Sequence, residues 1–135
     1  ALYNPSTAER IARGANVSAA DYVELLYDLE LVRKAIDDVF SDVDLLISPT
    51  LARLPVTIEA AQESPVAATL ELIENTSPFN VYGTPAISVP CGFSDEGWPI
   101  GLQISGRALG ELDVLALAHA YEQATNWHER TPPLS

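Results

Sequence analysis

Apolar residues at Tyr22, Leu25, Leu26, Leu29, Val32, Ile36, Val39 and Phe40 recur every three or four positions and draw one stripe along a helix. Glu24, Asp28, Lys34, Asp37 and Asp38 fall off the stripe, and Glu30 precedes Lys34 by four residues, the favourable order for an ion pair. Ser18 stands where an N-cap belongs, with Asp21 three residues on in a capping-box-like arrangement. The pattern predicts a helix over about 19–40. Ahead of it, Asn4-Pro5 reads as cap and first helical residue and Gly14 as a stop, so a short helix is expected over about 5–13.

The period then changes. Asp44-Leu45-Leu46-Ile47-Ser48 is short and almost continuously apolar, which predicts a strand over about 44–48 buried on both faces, as in a sheet covered by helices. Residues 49–66 carry Pro49, Pro55 and Pro65 and read as an ordered loop, followed by a helix over about 67–75. Strands over about 86–90 and 100–105 flank Ser94-Asp95-Glu96-Gly97, a turn-forming cluster, so a hairpin is expected. A final helix over about 111–126 turns Val114, Leu117, Ala118 and Tyr121 inward and Glu111, His119, Glu122 and Asn126 outward, before an extended tail at Pro132-Pro133. No linker separates two cores, so residues 1–135 are expected to form a single α/β unit.

Composition narrows the function classes. A hydrophobic fraction of 47% with 19% charged residues describes a packed chain, one of a length that can bury about two-thirds of its unfolded surface. Seven basic against nineteen acidic residues leave a net charge of −12, so this segment is not expected to contact nucleic acid. No apolar run approaches the length of a membrane span, and the single cysteine, Cys91, fits a reducing compartment; a soluble cytoplasmic protein without membrane contact is expected. Methionine is absent even at residue 1, so a polypeptide starting at Ala1 is expected to be processed or a piece of something longer.

The candidates for chemistry are few. Lys34, the only lysine, lies among Glu30, Asp37 and Asp38, neighbours that favour its charged form and disqualify it as a base. The serines form neither a Gly-x-Ser-x-Gly elbow nor a Ser-x-x-Lys pair. Cys91 reads as core packing and His119 as a surface residue, while His128 at a helix end suits the dipole. One cysteine and two histidines at these spacings make no metal site. No catalytic residue, metal or cofactor is expected in this chain.

Pro78-Phe79-Asn80, the Gly83-x-Pro85-Ala86 step and the Gly97-x-Pro99-x-Gly101-Leu102-Gln103 step carry a resemblance. With Asp21-Tyr22, Ser48-Pro49-Thr50, Glu111 and Trp127-His128 in the same order, the chain resembles the C-terminal segment of the amidase-signature family of amide hydrolases, which includes amidotransferase A subunits. The resemblance implies part of an α/β fold with a mixed sheet wrapped by helices. It also implies amide C–N hydrolysis by a Ser–cis-Ser–Lys triad, in which lysine activates a poor serine nucleophile. In the family that triad sits in a Gly/Ser-rich core upstream of the segment seen here, and this chain has no such run, so alone it is expected to be inactive. Thr76 and Phe79 match the family's acyl-pocket wall and are the candidate substrate-binding residues; for Phe79, ordinary core packing stays open. The expected partners are a small-molecule amide and the remainder of the amidase domain, with a homo-oligomer left open. A non-catalytic α/β interaction module derived from the family is the alternative.

Overall fold

The two runs flanking Ser94–Gly97 pair as an antiparallel hairpin, β2 (Ala86–Phe93) and β3 (Pro99–Gly106), and β1 (Leu45–Pro49) joins the other side of β3. The computed structural model describes residues 2–131, so the expected Pro132-Pro133 tail lies outside the described residues. Around this sheet, ordered β1-β3-β2, run α1 (Pro5–Arg13), α2 (Ala19–Val39), α3 (Ile58–Glu63), α4 (Pro65–Leu72), α5 (Ser77–Tyr82) and α6 (Glu111–Ala124). Both pairings are antiparallel, which is narrower than the mixed sheet implied by the resemblance.

Local chemistry explains the elements. Ser18 Oγ accepts from the Asp21 amide at 3.1 Å and donates to the Asp21 carboxylate at 2.8 Å, which starts α2 where the capping pattern placed it. Glu30 pairs with Arg33 at 3.2 Å, not with Lys34, because Arg33 also reaches the Val81 carbonyl and is held on that side of the helix. The stretch expected as a loop over 49–66 contains α3, capped by Thr57 Oγ1 on the Ala60 amide at 3.2 Å. Pro65 opens α4 at its first turn, where a missing N–H does no harm, two residues before the expected start. Gly83, at φ 73, ends α5 in the left-handed conformation that a Cβ would resist.

The core is small and one-sided. Val89, Ile104, Val114 and Ala118 are buried together where α6 lies on β2 and β3, with Leu45, Ile87, Leu102, Leu117 and Tyr121 packed against them. Opposite this, the stripe on α2 is largely uncovered: Tyr22, Leu25, Leu26, Val32 and Val39 are exposed and only Ile36 is buried. Ile47 is 59% exposed, so β1 is not buried on both faces as its apolar run implied; Leu45 packs against the core cluster and Ile47 does not. The accessible surface is 10177 Å², against about 6,900 Å² for a compact chain of this mass and about 21,000 Å² unfolded. About half of the unfolded surface is removed from water rather than the two-thirds expected, and the deficit lies on apolar faces.

Candidate functional site

The face of the sheet away from α6 is polar. Register puts Ser48, Gln103 and Ser88 in one row across the three strands, since directly opposed residues share a face. Thr50 follows β1, and its Oγ1 meets Ser88 Oγ at 2.6 Å. Gly101 lies beneath that pair: a Cβ there would stand 2.6 Å from Thr50 Oγ1 and 2.7 Å from Ser88 Oγ. Glycine is what lets the two hydroxyls meet over the strand.

The segment from Asn75 to Thr84 closes over this row. Gln103, 3% exposed, donates from Nε2 to the Asn75 carbonyl at 3.0 Å and makes a longer contact to Ser48 Oγ at 3.4 Å. Asn75 Nδ2 in turn donates to the Pro49 carbonyl at 2.9 Å. Asn75 is thus clamped to both β1 and β3. At the far end of the segment Arg33 Nε donates to the Val81 carbonyl at 3.1 Å, placing a cation at the C-terminal end of α5. Phe79 and Tyr82 meet edge to face at 6.2 Å within α5.

Between segment and sheet lies a concavity of about 410 Å³ lined by Thr50, Thr76, Phe79, Asn80, Thr84, Ala86, Ile87, Ser88 and Gln103. Both residues singled out from the sequence are therefore on its wall. Phe79 is half-buried, presenting an apolar ring to the concavity while packing on Tyr82. Thr76 Oγ1 contacts the Ile73 carbonyl at 3.4 Å, a weak bond that leaves the hydroxyl capable of accepting. Thr84 Oγ1 is buried without a hydrogen-bond partner among the described residues. The lining offers hydroxyls, two amides and an aromatic wall but no lysine, histidine or carboxylate. It can hold a neutral polar ligand; it has no base to activate a nucleophile.

The other candidates lie elsewhere. Lys34, His119 and His128 are exposed, and Lys34 makes no ion pair among the described residues. Cys91 is half-buried on β2 beside the bulge at Pro90/Gly92, less enclosed than core packing implied. Among the described residues no group of three His, Cys, Asp or Glu side chains could hold a metal ion, and no helix is long and apolar enough to cross a membrane. Thr50, Ser88 and Gln103 were not singled out from the sequence as site residues, although Thr50 and Gln103 belong to motifs that carry the resemblance. A second concavity, of about 260 Å³ between α1 and α4, was missed as well; Arg10, Arg13, Thr69 and Ile73 are among its lining residues.

Comparison with known proteins gives a consistent result. The profile described as Amidase matches residues 1–115. The A subunit of glutamyl-tRNA(Gln) amidotransferase from Picosynechococcus sp. is 36% identical over 98% of this chain, which spans 28% of that relative's length. The protein of the same description from Synechococcus sp. is 41% identical over 98% of the chain and 26% of its own length. Among solved structures, 6-aminohexanoate cyclic dimer hydrolase superposes with a TM-score of 0.76 at 31% identity, covering 93% of this chain and 28% of the other. A bacterial aryl acylamidase of the amidase signature family gives 0.74 at 30% identity, covering 94% and 27%. The chain thus corresponds to little more than a quarter of each of these four relatives.

Proposed function

This chain belongs to the amidase family, and we propose that it is the C-terminal segment of an amidase that hydrolyses a carboxylic amide at its C–N bond. The observation that carries this reading is the concavity between the sheet and the Asn75–Thr84 segment. It is lined for a neutral polar ligand and lacks any group able to start the chemistry. A serine nucleophile, the second serine and the lysine that takes its proton come from outside these residues. The serine oxygen adds to the amide carbon, the amine leaves with a proton, and water releases the acid. Alone, the chain does not turn over substrate.

Within that enzyme the segment holds the acyl side of the substrate. Phe79 supplies an apolar wall and the Thr76 hydroxyl a hydrogen bond, both set in place by the Asn75–Gln103 clamp and by Arg33. The partners are a small-molecule amide and the rest of the amidase domain, in a soluble cytoplasmic protein. The exposed apolar stripe on α2 supports the second of these.

The test is a series of small and bulky amides presented to the longer protein and to its Phe79→Ala variant. Removal of a wall ring should shift discrimination between small and bulky acyl groups by about 1–3 kcal/mol in transition-state free energy. A variant that loses about 3–5 kcal/mol of stability while its folded fraction keeps the parent ranking would place Phe79 in the core and not in the site.

A further inference from the structure

Two hydroxyls on the wall of the concavity are not accounted for by Thr76 and Phe79. Thr50 Oγ1 and Ser88 Oγ lie 2.6 Å apart, and neither makes another hydrogen bond among the described residues. Whichever oxygen accepts, one hydroxyl proton is used between them and the other is left over. It is available to whatever occupies the concavity that both residues line. The pair is fixed in advance: the Thr50 amide donates to the Gly101 carbonyl at 2.8 Å, and Ser88 is held in register opposite Gln103.

Gln103 supplies the complementary group. Its Nε2 is committed to the Asn75 carbonyl at 3.0 Å, so Oε1 is what that side chain offers a ligand. Directly opposed residues of an antiparallel pair have Cβ atoms about 4.5–5.5 Å apart. One carboxamide can span that gap, its C=O accepting from the hydroxyl pair and its N–H donating to Oε1. No lysine, arginine, histidine or carboxylate lines the concavity, and Arg33 is engaged by the Val81 carbonyl and by Glu30. A hydrocarbon against this wall would displace water and return no hydrogen bond, and a carboxylate would leave water without meeting a cation.

We propose that Thr50, Ser88 and Gln103 determine specificity in this concavity, selecting an amide whose acyl part carries a second, uncharged group with both a donor and an acceptor. This rests on the reading of the concavity as the acyl side of an amidase site. The preferred acyl group ends in a carboxamide or a group of the same hydrogen-bonding pattern; plain aliphatic and anionic acyl groups are disfavoured.

Three p-nitroanilides of matched size and shape separate these classes when presented to the longer protein: succinamoyl (uncharged and hydrogen-bonding), succinyl (anionic) and 4-methylpentanoyl (hydrocarbon). Release of p-nitroaniline should favour the succinamoyl compound in kcat/KM by about 30-fold or more over each of the others. Ser88→Ala and Thr50→Val should each lower that kcat/KM by about 10-fold while changing the 4-methylpentanoyl value by less than about 3-fold; a merely structural role would lower both alike. Comparable values for the three compounds, or variants that lower them in parallel, would overturn the proposal and leave the amidase reading standing. Absence of turnover with all three would count against that reading instead. The proposal is then decided by calorimetric binding of the corresponding methyl ketones, levulinamide, levulinate and 5-methylhexan-2-one, to the same protein. Levulinamide should bind tightest by a similar factor and lose that advantage in Ser88→Ala; equal binding, preference for either other ketone, or no binding would overturn it.

Discussion

Replacing Gln103 with leucine removes the β3 side of the clamp on Asn75, leaving its bond to the Pro49 carbonyl, while nearly conserving volume. The 3.4 Å contact to Ser48 Oγ is too long to contribute much. The 3.0 Å bond to the Asn75 carbonyl is the one that matters. Its net worth is about 1 kcal/mol, and a carbonyl left without a partner at a part-buried position raises the loss to about 1–3 kcal/mol. Taking about 2 kcal/mol as the central value, the melting temperature of a chain this size should fall by about 6–10 °C. Thermal unfolding followed by far-ultraviolet circular dichroism reads this directly, with Ser48→Ala as the control that should shift the midpoint by less than about 2 °C. A Gln103→Leu chain melting within a degree or so of the parent would refute the reasoning, since it would mean that the Asn75–Thr84 segment is held by something other than the clamp.

Two further outcomes follow from the same geometry. Gly101→Ala would drive a methyl into Thr50 Oγ1 and Ser88 Oγ, separating the hydroxyl pair at a cost of about 1–3 kcal/mol; a denaturant titration checks it, and Thr50→Ala in the same chain should recover part of the loss. Cys91→Ala should lower stability by about 1 kcal/mol and leave amide turnover of the longer protein unchanged, because the half-buried thiol lies on β2 outside the concavity lining; abolished turnover in a folded variant would contradict this.

How far the sequence could be read depended on the range of the interactions involved. α2 and α6 were legible because caps and a 3.6-residue period act within one helix, as the Ser18–Asp21 pair shows. The hairpin was legible because Ser94–Gly97 is local turn chemistry. α3 and α5 were not, since six residues are too few for a period to register. Burial was misjudged at Ile47 and along the α2 stripe for a different reason: an apolar pattern states that a face is to be covered, but not that the cover lies in the same chain. Thr76 and Phe79 were reached through a family resemblance. Thr50 meets Ser88, and Ser48 meets Gln103, only through strand register, across 38 and 55 residues of sequence, which no local pattern encodes.

The central claim is that these residues form a wall of an amidase site and none of its reacting groups. Its most direct test is hydrolysis of a simple aryl amide by the purified 135-residue chain and, in parallel, by the longer protein containing it. The account predicts no turnover above background from the chain, and turnover from the longer protein that a serine-directed reagent abolishes. Sustained hydrolysis by the chain alone, removed by the same reagent, would contradict it.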